Sequence, residues 1–449
     1  MHADLFDYQR VGARWLSAPS NAHAILADEM GVGKTATAIA AADELQAQSI
    51  LVICPGIART NWVRELERWQ TMPRVVGAVY SSKVLPLGSA IIAGYSSLQS
   101  EPILRWLLGR HWDVLILDEA HFGKNSAAWR TRALYGNKCD ARFGLASRAK
   151  RTWLLSGTLM PNHAGELWTH CHALFPDVAQ GLDYEDWLRE YCVFARGTER
   201  VVGNRNGEKL VKLLRPHVLR RTAAQVQPHL PPCRFNQVIV RPDKLPPKSV
   251  EIEETEIIVR AALAKSSKNR TDESRQAIAA LDEIHLATLR KWTGIAKAPA
   301  VAEYLRMDLA AGMKKCVVFA VHRDVIQTLA DALPGSAVIH GDISQKKRDQ
   351  AIDAFQGRNA GWNPRVMICN IDIASTALTL TAADNVVFAE SSWVPKDLQQ
   401  AIKRVHRQGQ TKPVLARLFS LQGSVDEQIG ARLVQKARIT AIFNQAIAA

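Results

Sequence analysis

Residues 25–40 read ILADEMGVGKTATAIA: a short apolar run, a glycine-punctuated loop, then Gly33-Lys34-Thr35 opening an alanine-rich stretch. An apolar run that ends in a glycine turn and restarts with helical character is the strand–loop–helix unit of a parallel α/β sheet. Backbone N–H groups of such a loop converge at a helix N-terminus and can cradle phosphates. Gly31 and Gly33 permit the close approach. Lys34 is placed to reach the β- and γ-phosphates, and the Thr35 hydroxyl to ligate Mg²⁺. The strict pattern asks for glycine at position 28, where this chain has Asp28.

Further apolar runs bounded by turn residues follow at 50–56 (ILVICPG), 90–95 (AIIAGY), 113–121 (DVLILDEAH) and 152–158 (TWLLSGT), with helix-patterned segments between them. The alternation extends the first unit into a parallel sheet covered by helices. Beyond about residue 240 the pattern turns to long charged helical periodicity. Strands return at 314–320, 336–341, 365–370 and 385–390. The stretch 227–247 holds six prolines and reads as an extended connector. The expected organisation is therefore a first α/β lobe at 1–225 with an insertion near 181–215, a proline-rich linker at 226–250, a helical insertion at 251–310 and a second lobe at 311–449.

At 449 residues the chain exceeds one compact core. Its 57 Lys and Arg against 43 Asp and Glu give a net charge of +14, which favours a polyanionic partner. Seven scattered cysteines, odd in number and never in C-x-x-C spacing, fit a reducing compartment without a structural metal site. The opening MHADLFDYQR shows no basic stretch leading into an apolar segment, and no apolar run approaches membrane-spanning length. A cytoplasmic location, with the nucleic acid, is expected.

Two more stretches carry chemistry. Asp118-Glu119-Ala120-His121 closes an apolar strand, at the sheet edge where ligands of parallel α/β proteins bind. There Asp118 suits the Mg²⁺ and Glu119 suits orienting and deprotonating an attacking water. In QQAIKRVHRQGQ (399–410), Gln400, Arg404 and Arg407 fall at i, i+4 and i+7 and would share one helix face. Two guanidinium groups on that face suit either the charge of a transferring phosphoryl group or plain solvation.

Together with Leu5, Tyr8, Gln9 and Gly12, CPGIARTNW (54–62), Lys124-Asn125 after the acidic tetrad, SGTLMPN (156–162) with ELW (166–168), Arg220-Arg221, and SSWVPKDLQQAIKRVHRQGQ, the series resembles helicase superfamily 2 in its Swi/Snf-type form. The resemblance runs through nearly the whole chain. Residues 289–305 and LTLTAAD (378–384) are most similar to the compact HepA-related, annealing-helicase branch.

The resemblance implies two RecA-like lobes of the P-loop NTPase type, with ATP and Mg²⁺ between them and double-stranded or forked DNA held across both without sequence preference. It implies that Gln9 reads the adenine edge, that His121 with Ser156 or Thr158 couples nucleotide state to nucleic acid, and that Arg404 and Arg407 act as arginine fingers. Candidate DNA contacts are Arg59, Thr60, Trp62, Tyr95, Ser96, Lys124, Ser375, Thr376, Thr379 and Trp393. A DNA-stimulated ATPase that translocates along duplex, working as a monomer, is the expected activity. A strand-separating DEAH-type helicase and a nucleic-acid-binding scaffold with little turnover are the alternatives. Three positions depart from the family pattern: Leu159 replaces a proline, Ala223 a basic residue, and 374–377 reads Ala-Ser-Thr-Ala where glycines are usual.

Overall fold

The structure is a computed structural model that describes residues 2, 4–137, 143–157, 163–241, 272–359, 361–371, 378–390, 395–424, 426, 427, 430 and 431, with side chains of the long second-unit helix described from 290 onward. The chain divides into two compact units, Met1–Pro228 and His229–Ala449.

Unit one is built on a parallel seven-stranded sheet in the order β3-β4-β2-β5-β6-β1-β9. Its strands are β1 (His23–Leu26), β2 (Ile50–Cys54), β3 (Val76–Ala78), β4 (Ala90–Gly94), β5 (Trp112–Asp118), β6 (Ala149–Leu155) and β9 (Val218–Leu219). Every residue of β2 and β4 is buried, as expected for strands covered on both faces. The helix Lys34–Glu44 lies deep in the unit, with Ala36 to Asp43 all buried, and its small side chains let the helix Asp7–Ser17 pack closely upon it.

The 181–215 stretch expected as an insertion folds as a helix (Tyr184–Tyr191), a hairpin of β7 (Cys192–Phe194) with β8 (Val201–Asn204), and a second helix (Gly207–Leu214). Trp187, Tyr191, Cys192 and Leu210 tie it into the apolar core of unit one.

Unit two carries a parallel six-stranded sheet in the order β10-β15-β14-β11-β13-β12. These strands are β10 (Cys233–Val240), β11 (Cys316–Ala320), β12 (Ala337–Ile339), β13 (Val366–Asn370), β14 (Asn385–Phe388) and β15 (Val414–Leu421). Two expectations are corrected here. The proline-rich stretch is not simply a linker, because Cys233–Val240 pairs along its whole length with β15. Its prolines at 231 and 232 precede the strand, and its alternating exposure marks an edge position where proline nearby is tolerated. The helix Asp272–Ala310 is likewise not a separate insertion: Ala298, Val301, Ala302 and Leu305 are fully buried in the core of unit two. No helix among the described residues is long and apolar enough to cross a membrane.

Candidate nucleotide-binding site

Parallel register brings the expected site residues of unit one to one sheet edge. Leu26 at the end of β1 pairs with Leu155 at the end of β6, and Leu155 pairs with Asp118 at the end of β5. The loop after β1, Ser156 after β6 and the acidic pair after β5 therefore emerge side by side, at the carboxyl edge where parallel sheets bind ligands.

The loop turns through Gly31 and Gly33, with φ of 85° and 93°. A side chain at either position would be strained in that left-handed backbone. Gly33 caps the helix that Lys34 begins, so the N–H groups of its first turn face the same edge. Lys34 Nζ donates to the carbonyls of Asp28 at 2.8 Å and Glu29 at 3.3 Å. Gly157 leaves room for that ammonium: a Cβ there would stand 3.6 Å from Lys34 Nζ and 3.1 Å from Met30 Cγ. Thr35, in the first turn, is half-buried.

Asp118 is held by two donors, the indole N–H of Trp62 at 2.8 Å and the backbone N–H of Glu119 at 3.0 Å. Burial, reinforced by the neighbouring Glu119 charge, pushes its carboxyl up to about 6, against the opposing pull of the Trp62 hydrogen bond and Lys34. Glu119 sits in left-handed backbone at φ 49°, uncommon for a residue with a side chain. His121 Nδ1 lies 3.3 Å from Glu119 Oε2 and 3.4 Å from Ser156 Oγ, linking the acidic pair to the segment after β6.

Gln9 is buried and its side-chain oxygen accepts the backbone N–H of Phe6 at 3.0 Å, closing the N-terminus of the helix Asp7–Ser17. Gln9 thus orders the start of this helix in addition to any role toward a base.

The candidate DNA contacts divide sharply. Trp62 and Tyr95 are corrections: they are 1% and 4% exposed, and both point at Asp118, the Tyr95 hydroxyl donating to its backbone oxygen at 3.0 Å. They brace the acidic pair and offer no face to a duplex. Lys124 pairs with the buried Glu166 at 2.5 Å, which occupies its charge. Arg59 donates to the Gly56 carbonyl at 2.9 Å and lies over the Tyr80 ring, while the Thr60 hydroxyl meets the Tyr80 hydroxyl at 3.2 Å. Ser96 is exposed.

In unit two, Gln400 and Arg404 are 6% and 8% exposed on the helix Pro395–Val405. Arg407 does not share their helix face. The helix stops at Val405 and the chain turns through Gly409 at φ 94°, a turn pinned by Gln410 Nε2 on the Ala383 carbonyl at 2.7 Å. Arg407 instead donates from its guanidinium to Thr379 Oγ1 at 2.9 Å, joining an expected arginine finger to an expected DNA contact. Thr158, Ser375, Thr376 and Trp393, with Leu159, Ala374 and Ala377, lie outside the described residues.

Fold and site define a phosphate-loop protein with two parallel α/β units, the first bearing an acidic pair beside its glycine loop. The chain belongs to the SNF2-related family: the SNF2-related domain matches residues 8–285 and the helicase conserved C-terminal domain matches 296–409. It is 30% identical over 442 residues to the mouse protein described as DNA annealing helicase and endonuclease ZRANB3, covering 93% of this chain and 38% of that protein. To the Xenopus tropicalis SWI/SNF-related matrix-associated actin-dependent regulator of chromatin subfamily A-like protein 1 it is 29% identical, over 97% of this chain and 44% of that one. The chain thus spans less than half the length of these relatives. Among solved structures, the Sulfolobus solfataricus SWI2/SNF2 ATPase core in complex with dsDNA is 22% identical, with a TM-score of 0.44 over 95% of this chain and 90% of that one.

Proposed function

We propose that this protein is an ATP-driven motor that moves along double-stranded or forked DNA without reading sequence. One observation carries the reading: a single sheet edge in an SNF2-related chain aligns the glycine loop, the Asp118-Glu119 pair and the His121–Ser156 link. Lys34, now on loop carbonyls, is within reach of the site it would serve, and its ammonium and the first-turn N–H groups bind the phosphates. Glu119 orients and deprotonates the attacking water, with His121 holding its carboxylate toward Ser156. Arg404 and Arg407 are assigned to the charge spreading over the phosphoryl oxygens.

The donor set fits Mg²⁺. Two adjacent carboxylates, of which Asp118 resists ionisation because of its burial and the neighbouring Glu119 charge, stand by a helix whose first turn carries the Thr35 hydroxyl. Mg²⁺ prefers such hard oxygens and takes few of them from protein. Asp118 and Thr35 would hold it, and when bound it neutralises phosphate charge.

Basic composition supplies the attraction to phosphates, and an annealing-type outcome is carried over from the mouse relative described as a DNA annealing helicase. The chain is proposed to work as a monomer in the cytoplasm. ATP hydrolysis measured side by side without nucleic acid, with duplex, single-stranded DNA, forked DNA and RNA tests the reading. Stimulation by duplex or forked DNA above single strands and RNA is expected; equal or absent stimulation by duplex overturns it.

A further inference from the structure

The segment that closes unit one runs alongside the phosphate loop. Ala27 N–H donates to the Leu219 carbonyl at 2.7 Å and Glu29 N–H to the Arg221 carbonyl at 2.8 Å, so 219–221 continues as a ladder beside 27–29. Side chains reinforce the ladder. Asp28, fully buried, is met by Arg221 through Nε at 3.0 Å and Nη2 at 2.5 Å, a two-pronged guanidinium–carboxylate pair. Arg221 also donates to the Tyr8 carbonyl. The Ala223 N–H donates to Glu29 Oε2 at 2.7 Å. Farther along, Gln227 Nε2 donates to the Tyr8 hydroxyl at 2.9 Å, and that hydroxyl donates to the Val32 carbonyl at 2.9 Å. Gly12 is part of the arrangement, because a Cβ there would meet Arg221 Nη2 at 2.6 Å.

These contacts converge on a dipeptide with two kinds of partner. The main-chain carbonyls of Asp28 and Glu29 receive the Lys34 ammonium, while their side chains hold Arg221 and Ala223. We propose that Asp28-Glu29 is the junction through which the nucleotide-sensing Lys34 is coupled to the segment 219–227, with Arg221, Tyr8 and Gln227 as positioning residues. When Lys34 turns to a phosphate, the two carbonyls lose its ammonium and the dipeptide is released to shift. Segment 219–227, bonded to the same dipeptide, moves with it, and that segment leads directly to the boundary after Pro228. Asp28 in place of the usual glycine is then a fastening point of the loop. The inference rests on the ATP-binding reading above.

Arg221→Ala strands a buried carboxylate and destabilises the unit before it can report on coupling. Tyr8→Phe and Gln227→Ala remove only neutral hydrogen bonds, two in each case, and are the variants to use. Third-strand displacement from a DNA triplex per ATP hydrolysed is expected to fall about threefold or more in each, with the ATP concentration for half-maximal rate within about twofold of the parent. The double variant is expected to be no worse than the more affected single, since both act in one chain of bonds. An unchanged ratio, or hydrolysis that falls in proportion to displacement, overturns the junction. Hydrogen exchange of the parent with a non-hydrolysable ATP analogue and Mg²⁺ separates the two claims: altered exchange at 221–227 is expected. Binding of the analogue with unaltered exchange there refutes the junction, whereas failure of the analogue to bind refutes the ATP reading itself.

Discussion

Asp118→Asn is expected to stabilise the free protein while abolishing its hydrolysis. In the folded chain burial and the Glu119 charge push the Asp118 carboxyl from the ordinary 3.8 up to about 6. Because the folded form binds its proton more tightly than the unfolded form, this group's contribution to stability falls as pH rises between those two values and stays low above them. The full difference is worth about 3 kcal/mol. Asparagine carries no charge to bury, and its oxygen can still accept the Trp62 N–H. Its amide nitrogen cannot accept the Glu119 N–H that Asp118 Oδ1 accepts at 3.0 Å, which costs about 1 kcal/mol. The net gain is about 2 kcal/mol above pH 6, or a rise of ~4–8 °C in the melting temperature of a unit this size. Thermal melts of parent and variant at pH 5 and pH 7.5 without nucleotide test this. The gain should be present at the higher pH and largely gone at the lower. A variant no more stable than the parent at pH 7.5, or a gain equal at both, refutes the argument that Asp118 is ionised against its surroundings.

Lys34→Ala is expected to abolish ATP hydrolysis, whereas Glu119→Gln retains near-parental ATP binding in equilibrium titration but does not turn over; parental turnover in Glu119→Gln would place the base elsewhere. Arg407→Ala should cost at least about 10³-fold in turnover if it serves the phosphoryl group, and a loss below about tenfold would reduce it to an anchor for Thr379. Thr379→Ala should raise the duplex concentration needed for half-maximal hydrolysis and Thr379→Ser restore it, because the hydroxyl accepts Arg407; matching curves for Thr379→Ala and parent would remove the residue from the DNA path.

The sequence made the central strands plain because strands covered on both faces must be apolar throughout: ILVIC, AIIAG and CVVFA can hardly be read otherwise. The glycine loop was equally plain, since Gly31 and Gly33 occupy backbone that side chains avoid. Edge strand β10 was hidden by its flanking prolines and by a partner far along the chain: Cys233 pairs with Val414. Helical spacing misled at Arg407, because i+7 counts residues but cannot see the turn after Val405. The roles of Trp62 and Tyr95 depend on where β5 ends beside them, a tertiary fact. The Asp28–Arg221 pair spans 193 positions, and neither residue alone announces the other.

The most direct test of the motor is displacement of a third strand from a DNA triplex, run beside unwinding of a plain tailed duplex. ATP-dependent displacement by the parent, none by Glu119→Gln, and an intact tailed duplex in both are expected. Robust unwinding of the tailed duplex, or a triplex left untouched while ATP is hydrolysed, would contradict it.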